Sequence, residues 1–278
     1  MNLKFLQSIV IGFVSGFAEM LPVSAEAHRT LLRTFFGVEG DDAVFRFLVH
    51  TACLIVLALH YSGTVGTLRR ANHLMKISPK RRKRPLSMSD ANTVRLLRNA
   101  MTVMLVLRAG TLVLRPMGES LSLVCIGLVI SGAMLILPAM FPNGNMDARN
   151  MPKLNGMLMG IGGGLAVVPG VSPVAGAMSL GQWRGVDRSF AMKFAHMLLI
   201  PGLLIGMVFD LVSAFTGGAA GFSFVGLLIA LVGAVASGFG CHYGLMLMEK
   251  LVSLRGFTAF AYYNWGMALL CFTLFLMI

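Results

Sequence analysis

An all-α polytopic membrane protein is the fold class this sequence predicts, built as two inverted repeats, each a re-entrant helical hairpin plus three transmembrane helices. Composition is the first ground. Of 278 residues, 56% are hydrophobic and only 12% charged, with a mean hydropathy of +0.80, whereas a soluble domain carries about 25% charged residues. The layout of the apolar segments is the second ground, and a pattern that recurs after 148 residues is the third. A soluble enzyme, a disordered chain and a secreted disulfide scaffold are excluded.

The N-terminal stretch imitates a signal peptide, with Lys4, an apolar run from Phe5 and an Ala-x-Ala at Ala25 to Ala27. Gly12, Gly16 and Glu19 interrupt the run and nothing downstream looks soluble, so it reads as part of the fold. Residues 3–35 are thus apolar but broken, by Gly12, Gly16 and Pro22. Residues 154–183 are broken likewise, by Gly160, Gly162, Gly163, Gly164, Pro169, Gly170 and Pro173. Interrupted segments do not face lipid, because the freed backbone groups need protein or water partners; they suit re-entrant hairpins. Six continuous stretches are apolar enough to span, at roughly 43–62, 99–115, 121–141, 190–215, 222–248 and 256–278, about 20 residues being required.

Between Arg69 and Arg98 stand ten Lys/Arg and one acid, Asp90. That excess predicts that the 63–98 loop is cytoplasmic. Counting spans outward puts the 142–153 loop, Arg184, Arg188 and the Glu249, Lys250, Arg255 loop inside, and the uncharged 216–221 loop outside. The net charge of +12 is then a matter of membrane orientation and implies no nucleic-acid partner. Cys53, Cys125, Cys241 and Cys271 are isolated in apolar segments without metal-ligand spacing. The whole chain, 1–278, is expected to be one membrane domain, with 1–141 as its first half and 154–278 as its second.

The two broken regions resemble each other. Gly12-x3-Gly16-x6-Val23-Ser24 recurs as Gly160-x3-Gly164-x6-Val171-Ser172, and Gly37-Val38-Glu39 as Gly185-Val186-Asp187. Each half holds one hairpin and three spans, and an odd number of spans inverts the second half. Inverted repeats with interrupted segments at matching positions predict a ligand site near the midplane. Half-helix N-termini aimed at it favour an anion.

Ionisable residues inside a membrane are expensive, which makes each a functional candidate. The first hairpin offers Glu19, Glu26, His28 and Arg29, with the hydroxyl of Ser24. The next span offers Arg46 and His50, four apart on one helix face, and the matching span of the second half Lys193 and His196, three apart. Ser172 sits in the second hairpin. Arg115 reads as a snorkelling interfacial residue, Arg108 as another or as a partner of Glu119, and Arg184 and Arg188 as topology anchors.

At these residues the chain resembles the undecaprenyl-diphosphate phosphatases of the UppP/BacA type. Members carry E-G-x-x-E-F-L-P-V-S-S-x-G-H where this chain reads Ser15-Gly16-Phe17-Ala18-Glu19-Met20-Leu21-Pro22-Val23-Ser24-Ala25-Glu26-Ala27-His28. They carry P-G-x-S-R-S-G where it reads Pro169-Gly170-Val171-Ser172-Pro173-Val174-Ala175. The resemblance covers about 8 to 278. It implies removal of a phosphate from undecaprenyl diphosphate in the bacterial cytoplasmic membrane, which recycles the carrier lipid. The implied partners are undecaprenyl diphosphate or undecaprenyl phosphate and membrane lipids, and members can use a divalent cation, Mg or Ca. No metal ligand set is predicted for this chain, and the resemblance leaves its oligomeric state open.

The departures fall on the chemistry: Ser15, Ala25 and Pro173 stand where the pattern has glutamate, serine and arginine, and Arg46 and Lys193 replace two glutamates. Three readings stay open. In a rewired phosphatase His28 is nucleophile or general acid/base, Glu19 orients it, and Ser24 completes the catalytic set. Arg46 and Lys193 replace the missing arginine and Glu26 the lost carboxylate; Ser172, His50 and His196 complete the phosphate-binding set. The second reading is a non-hydrolytic polyprenyl-phosphate binder or flippase, the third a small-anion transporter.

Overall fold

A computed structural model describes residues 3–40, 43–83, 85–110, 120–216, 223–254 and 257–277. Arg84, Arg115, Glu119, Arg255 and positions 217–221 of the predicted outer loop lie outside the described residues.

Helix α1 (Phe5–Met20) ends where Pro22 follows Leu21, and Ser24 caps α2 (Ala25–Phe35). After α3 (Ala43–His60) comes α4 (Ser62–Met75), then a short 3-10 turn at Pro79–Arg81 and α5 (Met88–Arg108). Helix α6 (Leu121–Ile136) tightens into a 3-10 turn, Leu137–Met140, at Pro138. The second broken region is α7 (Lys153–Gly164), a 3-10 turn at Leu165–Val167 and α8 (Pro173–Trp183), with Pro173 in the first turn, where a missing N–H is harmless. Helices α9 (Arg188–Thr216, with Pro201 inside), α10 (Phe224–Leu254) and α11 (Thr258–Met277) complete the chain.

Among the described residues, five helices are long and apolar enough to cross a membrane: Ala43–His60, Leu121–Met140, Arg188–Thr216, Phe224–Val252 and Thr258–Met277. Their outward faces are apolar, with Leu59, Val208, Phe215, Val235 and Leu269 all exposed. A multi-pass membrane protein follows. The expected span at 99–115 begins much earlier, at Met88, and its last five positions lie outside the described residues. The basic 63–98 segment is largely helical, not a loop. Ser62–Met75 forms its own helix, and Ser87 caps the next by accepting from the Asp90 amide at 3.3 Å. Charge fixed the side of the membrane in the sequence argument but says nothing against helix, since Lys and Arg are good helix formers.

The broken segments are too short to cross. At 1.5 Å per residue, α1 is about 24 Å long and α2, α7 and α8 about 17 Å, against a hydrocarbon core of about 30 Å. Helices α7 and α8 fold back on each other at Gly162 and Gly176: a Cβ on either would collide with the other's backbone. The same economy joins α1 to α10, where Gly12 faces Gly233 and Gly16 faces Ser237. It also joins α7 to α5, where Gly160 faces Ala100 and Gly164 faces Leu107. Small residues let backbones approach where lipid offers no hydrophobic drive.

The 148-residue shift recurs in local structure. Ser24 Oγ accepts from the Ala27 amide and Ser172 Oγ from the Ala175 amide, both at 3.2 Å. Gly37 and Gly185, just past α2 and α8, both take positive φ, +61° and +83°, which only glycine adopts without strain. The carbonyl of Pro22 accepts from Asn264 Nδ2 of α11 at 3.1 Å, and that of Gly170 from Ser131 Oγ of α6 at 3.4 Å. The first hairpin tip is thus held by α11 and the second by α6.

Candidate functional site

Two contacts set the relation of α3 to α9. Arg46 bonds Asp210 near one end, and Tyr61 bonds His196 near the other, so the two helices run antiparallel. Asp210 is buried and binds two side chains at once. Arg46 Nε donates to Oδ1 at 2.9 Å, and His50 Nδ1 donates to Oδ2 at 2.7 Å. The i,i+4 spacing of Arg46 and His50 delivers both to one carboxylate. Gly206, one turn before Asp210, leaves room for the ring: a Cβ there would stand 3.4 Å from the His50 imidazole. With Nδ1–H committed to Asp210, Nε2 is the ring atom able to accept a proton.

More charge gathers around this pair. Glu26, in the first turn of α2, lies within electrostatic reach of Arg29, Arg46, Arg108 and His50. Arg108 faces both Glu19 and Glu26 and donates from Nη1 to the Gly202 carbonyl of α9 at 3.3 Å. Arg46, His50 and Arg108 thus link Glu19, Glu26 and Asp210 electrostatically across α1, α2, α3, α5 and α9. Of the expected residues, the structure brings Glu19, Glu26, Arg46 and His50 together here.

The others have their polar atoms bonded elsewhere or are exposed. Ser24 spends its hydroxyl oxygen on capping α2. His28 is gripped at both nitrogens: Nδ1–H donates to the Ser24 carbonyl at 2.6 Å, and the Tyr263 hydroxyl donates to Nε2 at 2.7 Å. A carbonyl only accepts, which fixes the neutral tautomer. The Tyr263 ring also stacks on the imidazole, with 5.6 Å between centroids. Glu19 is not among the atoms bonded to His28. Ser172 caps α8 and donates its amide to Ser131 Oγ at 2.9 Å. His196 is equally occupied, Nε2–H donating to the Met20 carbonyl at 3.0 Å and Nδ1 accepting from Tyr61 at 2.9 Å. Lys193 is exposed on α9, about 25 Å along the helix from Asp210.

Sequence reasoning passed over Asp210 and Tyr263. Asp210 carried a usable signal, as the lone carboxylate of a 29-residue helix whose second half is apolar around it. Tyr263 carried none, being one of several aromatics in α11. The divalent cation implied by the family resemblance does not fit this donor set. Among the described residues no three His, Cys, Asp or Glu side chains converge, and the carboxylates present already face arginines.

The arrangement can hold an anionic group against guanidinium while a carboxylate-oriented imidazole takes a proton beside it. Comparison with known proteins agrees in class. Residues 8–270 match the family described as Bacitracin resistance protein BacA. Among relatives, an undecaprenyl-diphosphatase of Treponema denticola is 26% identical over 263 residues, 94% of each chain. Those of Methanobrevibacter smithii and Carboxydothermus hydrogenoformans are 26% and 27% identical, covering 97% and 93% of each chain.

Proposed function

The chain belongs to the bacitracin resistance protein BacA family, and from that premise we propose that it hydrolyses undecaprenyl diphosphate to undecaprenyl phosphate and inorganic phosphate, recycling an envelope carrier lipid. The observation that carries this reading is Asp210 holding His50 and Arg46, with Glu26 within electrostatic reach of both and of Arg29 and Arg108. Phosphoryl transfer needs mainly positioning and charge stabilisation, and guanidinium groups supply both through paired, charge-assisted hydrogen bonds.

In the proposed step the arginines hold the diphosphate and His50 Nε2 removes a proton from water. The water oxygen bonds to the terminal phosphorus, and the bond from that phosphorus to the bridging oxygen breaks. The electron pair leaves with undecaprenyl phosphate, and the imidazolium formed is stabilised by Asp210. Glu19 and Glu26 fix Arg108 and Arg29, while His28 and Tyr263 hold the first hairpin tip to α11. Ser172 does the same for the second tip. Lys193 and His196 are left outside the chemistry.

The membrane is proposed to be the bacterial cytoplasmic membrane, with the 69–98 segment cytoplasmic, on the strength of its basic excess. A second reading, translocation of the lipid phosphate without hydrolysis, is favoured by the matching hairpin caps at a 148-residue shift. Phosphate release from undecaprenyl diphosphate by purified protein separates the two. Release by the wild type that falls at least 100-fold in Asp210→Asn is expected. Lipid binding without release would overturn hydrolysis and leave the carrier.

A further inference from the structure

At the far end of α9 a second polar cluster holds three buried, unpaired donor atoms. Among the described residues, Ser179 Oγ, Gln182 Nε2 and Arg188 Nε all lack a hydrogen-bond partner, and all three side chains line one cleft, together with Thr258. Ser179 is fully buried and Gln182 only 8% exposed. Buried polar atoms are nearly always paired in folded proteins, so three orphans in one cleft ask for a shared occupant.

Local structure assembles them. Ser179 and Gln182 are one turn apart on α8. The positive φ of Gly185 turns the chain back, and the Val186 amide closes on the Gly181 carbonyl at 3.0 Å. Arg188 therefore starts α9 over the end of α8. Each orphan atom carries a hydrogen to donate, and no carboxylate lines the cleft among the described residues. The neighbouring Asp187 does not line the cleft, and its Oδ1 accepts from the Phe190 amide at 2.9 Å. One guanidinium, one amide and one hydroxyl in a cleft of about 30 Å³ match a few oxygens of a tetrahedral oxyanion; a cavity that size holds about two waters, not a sugar or a base.

We infer that this cleft is a second phosphate-class site. Twenty-two residues of α9 separate Arg188 from Asp210, about 33 Å of helix, close to one hydrocarbon thickness. The two sites therefore stand at opposite faces of the membrane. The occupant is a phosphate group, carried either by inorganic phosphate or by a lipid headgroup. The inference does not depend on hydrolysis at the first site.

The test is equilibrium binding to full-length protein in a maltoside detergent, which carries no phosphate. The probes are inorganic phosphate and a short-chain polyprenyl monophosphate, and Arg46→Gln is the background that weakens the first site. One equivalent of probe is expected to remain bound in Arg46→Gln. Adding Arg188→Gln should weaken it at least tenfold, and adding Ser179→Ala or Gln182→Leu severalfold. Binding of both probes means that a free phosphate suffices; binding of the lipid alone assigns the cleft to a headgroup. If Arg188→Gln does not fold, the Ser179→Ala and Gln182→Leu results decide. Retention of both probes within twofold in those two variants overturns the site.

Discussion

His50 donates to Asp210 at 2.7 Å across the α3–α9 contact, and the same carboxylate receives Arg46 at 2.9 Å. One buried acid thus orients a proton acceptor and an anion-binding cation together. Asp210→Asn keeps the volume but removes the charge, and it allows the amide to present a donor to His50 Nδ1. Loss of one such electrostatic contact is worth about 10² to 10³ in rate, and that is the fall expected in kcat/KM. Groups acting as a unit are not additive. The double variant His50→Gln/Asp210→Asn should be no more than about threefold slower than the worse single variant. Full additivity of the two losses would show that they act separately.

His28 is a rival for the base, and its own contacts argue against that role. Its Nε2 is filled by the Tyr263 hydroxyl and its Nδ1–H by the Ser24 carbonyl. Tyr263→Phe keeps the stacked ring and deletes one hydrogen bond, a loss of about 1 kcal/mol in stability. Phosphate release should change less than tenfold, and the denaturation midpoint should fall. A loss beyond 100-fold with an unchanged midpoint would transfer the base role to His28.

How far the sequence could be read depends on what each feature rests on. Apolar length and glycine spacing are local, and they located five of the six expected spans and both broken regions, with Ser24 and Ser172 at matching positions that prove to be helix caps. Arg46 and His50 were legible as a pair because i,i+4 spacing is a property of one helix. Their shared partner was not, since Asp210 lies 160 residues beyond His50 and only tertiary packing brings it there. Lys193 matched Arg46 one residue out of the 148-residue register. A one-residue slip along α9 turns a side chain by about 100°, and Lys193 faces outward. The helix over Ser62–Met75 was hidden by its charge, which signals orientation more strongly than conformation.

Helix contacts built on glycine make a sharp prediction about stability. A Cβ on Gly12 would strike the Gly233 backbone, whereas one on Gly63, in α4, meets nothing within 4 Å. Overpacking a close contact costs about 1 to 3 kcal/mol, and a helix-interior alanine gains about 0.5 to 1 kcal/mol over glycine. Gly12→Ala should lower the thermal midpoint in detergent and Gly63→Ala should hold or raise it. Equal midpoints would mean that α1 and α10 separate without cost.

Sidedness is testable at Ser78, exposed between α4 and α5 within the basic segment. Cys53, Cys241 and Cys271 are buried and Cys125 is partly so, which leaves an introduced Ser78→Cys as the accessible thiol. The positive-inside bias predicts that it lies in the cytoplasm. A membrane-impermeant maleimide should label it weakly in intact cells and several-fold more after permeabilisation. Full labelling of intact cells would reverse the orientation. It would also exchange the two sites on α9, because Arg188 lies beyond His196, which Tyr61 anchors at the base of α4. The Asp210 cluster would then face the cytoplasm and the Ser179, Gln182 and Arg188 cleft the outside, so a single labelling ratio fixes the faces of both.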